Sequence, residues 1–304
     1  MTEKEKTMYS FISELSKSQF PIIIKGALIT KLILDEHNYV DVERRTQDID
    51  INWVKTPPAM NELKNSIQSV LDNYNQNYIA VVKREYGDKR AAKIAVTDKT
   101  NGDEIFSMDI DMKPMLGSRT YYFGEAKIRG VLPNEVVADK IFILSTPLIY
   151  KHRAKDIVDA YNLSRCLEIE TESVHSINQM RGRTLQNYDG FLNHKSELQH
   201  AYERLRGIDG KPDFEALYNH LQNFLKPFIN GEQSAMIWNP EKYVWDKKYN
   251  YMKVTPEQAE LLQKANISFE GNIFQNRDSV IRYPSKSQQA VEQALTSSRN
   301  KLIK

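Results

Sequence analysis

Asp48-Ile49-Asp50 is the first pattern along the chain that can do chemistry. Side chains alternate across a pleated strand, so the two carboxylates share one face while Ile49 and Ile51 occupy the other. The segment Phe106-Ser107-Met108-Asp109-Ile110-Asp111-Met112 repeats the device, with Ser107, Asp109 and Asp111 opposite Met108, Ile110 and Met112. An isolated D-x-D reads more simply as a solvated strand face. Two of them in sheet-forming segments, each backed by an apolar face, read as a convergence. If the strands are neighbours at about 4.8 Å, carboxylates from both meet in one small volume. Like charges that close raise one another's pKa, and a divalent cation is their natural partner. Mg²⁺ suits such a set, because it binds through one or two carboxylates and substrate phosphates. Phosphate chemistry follows.

Two further features bear on an anion. Lys25-Gly26 closes the apolar run at 20–24, at a strand-to-helix junction where backbone N–H groups and the positive end of a helix can face a phosphate. Lys140, Lys151, Arg153 and Lys155 follow the sheet-forming region, ahead of Asp156. Taken singly, a glycine at a strand end makes a turn and a lysine on a helix faces water. The chain has no Walker A pattern, no H-E-x-x-H and no G-x-S-x-G, which argues against those three kinds of enzyme. Asp111-Met112-Lys113 supplies a rival reading, since it resembles the D/E-x-K element of metal-dependent nucleases, with an upstream Asp completing the site.

The elements that must position these groups are legible as periodicities. Met8, Phe11, Ile12 and Leu15 recur at helical spacing, 20–24 is a buried strand, 27–34 is a helix apolar nearly all round, and 48–54 alternates as a strand. After Pro57-Pro58, Met60, Leu63, Ile67, Val70 and Leu71 return to helical spacing. Strands are expected at 78–82, 91–96, 104–112, 120–123 and 126–131, with Asn101-Gly102 as a hairpin signal. Asn134 is the expected N-cap of a helix carrying Lys140. Another helix, 154–166, sets Asp156 and Asp159 on one line, where a solvated helix surface is an equal reading for Asp159 and a lesser one for Asp156, and further helices are expected at 196–205 and 214–228. The expected fold is α+β: a mixed β-sheet flanked by helices over residues 1–167, then a mainly helical domain over 168–304 that ends in a basic, partly mobile tail from Gly271.

Taken in order, Lys25-Gly26-Ala27, Arg44-Arg45-Thr46-Gln47-Asp48-Ile49-Asp50, Ala138-Asp139-Lys140 and Lys155-Asp156-Ile157-Val158-Asp159 resemble the motifs of the AbiEii/AbiGii-type toxin family of nucleotidyltransferases. That pattern runs K-G-G, R-x-[ST]-x-D-[ILV]-D, A-D-K and K-D-x-x-D, and the match spans roughly residues 25–163. The resemblance implies a nucleotidyltransferase-like fold followed by a helical domain, and a reaction in which a nucleoside triphosphate donates NMP to an acceptor. On that pattern Asp48 and Asp50 hold Mg²⁺, Lys25, Gly26, Thr46 and Lys140 meet the nucleotide, and Asp156 is a catalytic or acceptor-orienting carboxylate. Asp109 or Asp111 supplies a third metal-binding carboxylate; strand alternation puts both on one face and does not choose between them. RNA such as tRNA, or a protein hydroxyl, is the implied acceptor, and a cognate antitoxin the implied partner. Ala27 departs from the second glycine of the pattern, which restricts backbone approach to the phosphates and leaves room for a catalytically silent protein that binds nucleotide or a partner.

Composition bounds the rest. With 40% hydrophobic and 27% charged residues in 304, the chain has the material for a sizeable core and is neither disordered nor fibrous. Lys plus Arg total 42 against 40 Asp plus Glu, so wholesale wrapping of nucleic acid is excluded and an RNA contact needs a local patch. Candidates are Arg181, Arg183, Arg204 and Arg206, and the aromatic and lysine-rich stretch 243–253, which reads equally as rings packed on a domain face. The single cysteine, Cys166, rules out an internal disulfide, and with no apolar run long enough to span a membrane a cytoplasmic protein is expected.

Overall fold

A computed structural model describes residues 3–299 except 19, 47, 57, 86–90, 113–114, 233 and 276. Helix α1 (Glu3–Lys17) buries Met8, Phe11, Ile12 and Leu15. It is followed by β1 (Ile22–Lys25), α2 (Gly26–Glu36), β2 (Glu43–Arg44), β3 (Asp48–Trp53) and α3 (Met60–Tyr74). Five strands come next: β4 (Tyr78–Arg84), β5 (Ala91–Asp98), β6 (Glu104–Asp111), β7 (Ser118–Phe123) and β8 (Ala126–Val131). Helices α4 (Pro133–Ser145), α5 (Ile149–His152) and α6 (Ala154–Cys166) complete the first part. Beyond them lie β9 (Ile169–Glu170), α7 (Thr171–Met180), α8 (Asp189–Leu192), α9 (Lys195–Glu203), β10 (Ile208–Asp209) and α10 (Phe214–Ile229). The last elements are β11 (Met236–Asn239), β12 (Val244–Lys247), β13 (Tyr249–Val254), α11 (Pro256–Lys264), β14 (Ser279–Pro284) and α12 (Gln288–Arg299).

Seven strands form one mixed sheet in the order β4-β5-β6-β3-β1-β8-β7. β3 runs parallel to β6 and β1 parallel to β8, and the remaining neighbours are antiparallel. One face is apolar: Ile49, Met108, Phe106 and Ile110 project from it, and Phe11 of α1 stacks 5.2 Å from Phe106 and 5.8 Å from Tyr74 of α3. With α1 and α3 committed to that side, period-two alternation sends the aspartates of β3 and β6 to the other.

Helix α4 starts two residues earlier than expected. Pro133 occupies its first position and Leu132 the cap, because proline's fixed φ suits the first turn and its missing N–H is no loss there. Asn134 therefore lies inside the helix, where its amide donates to Ser173 Oγ at 3.3 Å.

The hydrophobic core does not divide at Leu167. It runs from Met8 to Trp238, with α4 packed on α7 and α6 on α10. A second, smaller core of Val254, Leu262, Ile281, Tyr283 and Val291 sits between the two-stranded β13–β14 sheet and the helices α11 and α12. Much of the stretch expected to be a mobile tail is thus ordered: β14 pairs with all of β13, and α12 carries Val291 into that core. Polar composition misled here because a two-stranded sheet with one buried face needs apolar residues at only every second position.

Candidate active site

β3 and β6 are parallel neighbours in a register that sets Asp48 opposite Ser107, Asp50 opposite Asp109 and Asn52 opposite Asp111. β1 lies on the other side of β3, with Lys25 opposite Asp50. Gly26 follows at the start of α2 with φ +69, and a Cβ built on it would stand 1.9 Å from Asp50 Oδ2. Only glycine accommodates both that backbone and that approach, so the turn and the carboxylate are packed as one unit.

The Asp50 carboxyl is pushed up to about 6 by burial first and by the neighbouring charge of Asp48 second, with Lys25 pulling the other way. Among the described residues neither Asp48 nor Asp50 has a cationic side chain within 4.0 Å. The other two strand aspartates do. Lys25 Nζ sits 2.5 Å from Asp111 Oδ2, while Asp109 is held by Arg84 at 3.2 Å and Lys93 at 3.0 Å.

Facing this strand wall is a helix wall. Lys140 of α4 is buried, with Nζ 2.6 Å from Asp156 Oδ1 and 2.7 Å from Asp159 Oδ2. Arg44 of β2 closes the cluster on Asp159 with two donors at 2.7 and 3.0 Å. Burial alone would raise the Asp159 carboxyl, but Lys140 and Arg44 outweigh it and hold the group low, to about 2. Burial would likewise lower the Lys140 ammonium, and the two aspartates raise it instead. Arg153 Nε lies 2.8 Å from Asp156 Oδ2, yet that oxygen accepts no aligned hydrogen bond among the described residues.

Between the walls is a cleft of about 660 Å³ lined by Lys25, Gly26, Asp48, Asp50 and Asp111 on one side and Lys140, Arg153, Lys155 and Asp156 on the other. Ligand clefts span roughly 300–1,000 Å³, so this one has the size to take a nucleotide.

A sequence model of the family described as nucleotidyl transferase AbiEii toxin, type IV toxin–antitoxin system, matches residues 31–249, well over half of the chain. The chain belongs to the AbiEii family. It is therefore a nucleotidyltransferase, and several solved structures are similar to it. These include MenT4, a nucleotidyltransferase toxin from Mycobacterium tuberculosis, at 14% identity and a TM-score of 0.44, covering 75% of this chain and 90% of that one. The antibiotic-resistance factor ANT(2'')-Ia matches at 12% identity and a TM-score of 0.38, covering 66% of this chain and 97% of that one. An antigenic nucleotidyltransferase-like protein from Paracoccidioides brasiliensis matches at 13% identity and a TM-score of 0.36, covering 65% of this chain and 94% of that one. No curated protein matches the chain. Among the described residues, no helix is long and apolar enough to cross a membrane.

The AbiEii fold raises the question of a divalent cation, and the residues fit one. Asp48 and Asp50 offer hard oxygen donors, and burial first and the like charge of Asp48 second hold Asp50 well above its ordinary range. The third carboxylate expected from Asp109 or Asp111 does not gather with Asp48 and Asp50: among the described residues no three Asp, Glu, His or Cys side chains form a metal-holding group. Asp111 and Asp109 stand in the next strand but are drawn to Lys25 and to Arg84 and Lys93, because strand neighbours on the same face include cations as well as carboxylates. Of the two, Asp111 lines the cleft.

Other expectations shift as well. Thr46 is buried, with its N–H on the Glu5 carboxylate at 3.2 Å, and it lies outside the cleft lining. Lys140 faces carboxylates before it can face a phosphate; two of its three N–H donors are taken. Asp159, read as a surface residue, is 2% exposed. Lys113, on which the nuclease reading depends, lies outside the described residues. The 243–253 stretch splits: Trp245 packs 5.4 Å from Trp238 and donates to the Phe224 carbonyl at 2.9 Å, whereas Tyr251 is exposed.

Sequence reasoning missed Arg44 as a partner of Asp159, although its fixed place four residues before Asp48 in the motif was the available signal. Arg181 and Arg183, singled out as candidates for an RNA contact, line the far end of the cleft, and it was their carboxylate partners on α4 that went unread. There Arg181 pairs with buried Glu135, Arg183 is 2.5 Å from Asp139, and the Arg183 guanidinium lies 4.9 Å over the Phe142 ring. No local pattern marks those contacts, because they join α4 to the loop after α7.

Proposed function

We propose that this toxin-family nucleotidyltransferase moves NMP from a nucleoside triphosphate to a macromolecular acceptor, with Mg²⁺ held by Asp48 and Asp50. RNA such as tRNA is the favoured acceptor and a protein hydroxyl the second, and the activity is that of the toxin in a pair with a cognate antitoxin. The observation that carries the reading is the pair Asp48 and Asp50, two close carboxylates with no cation within 4.0 Å among the described residues, set directly beside the Gly26 turn.

A bound cation supplies charge neutralisation on the triphosphate and on the phosphoryl oxygens as the bond to pyrophosphate breaks. The chain's own groups do the rest. Lys25 and the N-terminus of α2, whose first turn carries no acidic residue, favour the phosphates. Asp156, whose Oδ2 lies 2.8 Å from Arg153 Nε, orients the acceptor hydroxyl and receives its proton. Lys140 and Arg44 act through Asp156 and Asp159, fixing their positions in a buried network, and the remaining Lys140 donor is available to a phosphate.

Purified protein incubated with Mg²⁺ and each α-³²P-labelled NTP, together with total RNA or total protein, tests this directly. Label retained in RNA by the wild type and absent with Asp50→Ala is the expected result. Label only in protein moves the acceptor to a protein hydroxyl, and RNA shortening without label points to a nuclease instead.

A further inference from the structure

We infer that the turn through α5, at the lip of the cleft, is the track along which the phosphodiester backbone of an RNA acceptor reaches Asp156, with Lys151 and Lys155 as its main contacts. This rests on the reading of Asp156 as the carboxylate that meets the acceptor.

The chain as a whole is nearly balanced in charge, so an RNA contact requires a local run of cations. Between Lys140 and Lys155 there is no Asp or Glu, and Lys151, Arg153 and Lys155 fall in the last five residues of that stretch. Most cations lining the cleft are already committed: Lys25, Arg44, Lys140, Arg153, Arg181 and Arg183 each lie within 4.0 Å of a carboxylate. Lys155 also lines the cleft, is exposed, and has no carboxylate within that distance among the described residues. Lys151, on α5 just outside the lining, is exposed and equally uncommitted.

Position decides what these charges meet. Lys155 directly precedes Asp156, and its charge is felt at Asp50, so the run ends beside the reacting groups. From there it leads outward through Arg153 and Lys151, away from the Gly26 turn that favours the donor phosphates. A strand whose reacting hydroxyl lies at Asp156 carries its next phosphates over these cations, and a protein acceptor has no such row of anions. Tyr150 is half-buried and stacked on His194 at 4.4 Å, and two acidic residues of the helices packed on α5, Asp189 and Glu197, are turned to the same His194. The exposed contact therefore falls to ammonium groups, which hold phosphates without reading bases.

Fluorescence anisotropy of the full chain with two fluorescein-labelled RNA oligonucleotides of unrelated sequence, from about 50 to 200 mM KCl, tests this alongside transfer of α-³²P label to total RNA. Lys151→Gln combined with Lys155→Gln is expected to weaken both RNAs alike, by about tenfold, and to flatten the slope of log K against log salt by about 1.4. The KM for RNA should rise by a similar factor, with kcat and the KM for NTP changed by less than about twofold. Lys151→Arg with Lys155→Arg keeps both charges and is expected to bind as the wild type does. A glutamine variant that binds and labels RNA like the wild type overturns the track while transfer to RNA stands. One that raises the KM for NTP and leaves RNA binding unchanged assigns the lysines to the donor, and overturns it as well. A wild type that labels protein and no RNA fails earlier, at the reading of the acceptor, and removes the track with it.

Discussion

On the strand wall of the cleft, Asp48 and Asp50 face one another with no cation within 4.0 Å among the described residues; on the helix wall, Lys140 lies 2.6 Å from Asp156 and 2.7 Å from Asp159. The two walls are built from the same residue types and store charge in opposite ways. Asp50 is raised to about 6 and is a source of strain that a positive ligand relieves. Asp159 is lowered to about 2 and is closed off by Lys140 and Arg44. A wall that carries unmatched charge is poised to bind, while a wall whose charges are matched internally serves to hold a neighbouring group in place.

If that contrast is right, breaking the helix wall costs stability before it costs chemistry. Asp159→Ala leaves Arg44 and one side of a buried Lys140 without a counter-charge and is expected to destabilise the fold by about 3–5 kcal/mol in urea titration. A loss below about 1 kcal/mol means that the network is solvated.

Gly26→Ala attacks the strand wall through geometry. Its Cβ would stand 1.9 Å from Asp50 Oδ2 at φ +69, so Asp50 has to move, and label transfer is expected to fall by about a hundredfold or more. Stability is expected to fall by about 1–2 kcal/mol.

The pH dependence separates the walls by sign. Asp50 has a folded pKa above its unfolded 3.8, so its contribution to stability is present below pH 3.8 and is lost as pH rises through about 6. Asp159 has a folded pKa below 3.8, so its contribution is present above that value and is lost as pH falls toward about 2. Urea titrations of the wild type against Asp50→Asn and Asp159→Asn should therefore diverge in opposite directions, the first between pH 3.8 and 6 and the second below 3.8. Divergence in the same direction would mean that the walls do not differ in kind.

The smallest expected effect sharpens the choice between the two β6 aspartates. Arg84→Ala removes one exposed partner of Asp109, at 3.2 Å, while Lys93 remains at 3.0 Å. Stability should change by less than about 1 kcal/mol and label transfer by less than about twofold. A large loss of transfer would return Asp109 to the reaction.

The sequence shows much of the strand wall, because period-two alternation is local: it places Asp48 with Asp50 and Asp109 with Asp111 without knowledge of the fold. That β3 and β6 are adjacent, and that Lys25 reaches across β3, depends on strand order, which no local pattern encodes. The helix wall was harder to read. Asp156 and Asp159 at i and i+3 look like a solvated helix surface, and only the packing of α6 against α2 and α4 buries them. The C-terminal two-stranded sheet was hidden for a related reason, since its small core draws only one or two residues from each of several short elements.

The most direct test of the account pairs two readings on one variant, Asp50→Asn, at pH 7: thermal or urea unfolding, and transfer of α-³²P label to RNA. The account predicts a protein about 1–3 kcal/mol more stable than the wild type, from relief of the buried like-charge pair, with label transfer abolished. A variant that is less stable than the wild type and still transfers label would contradict it.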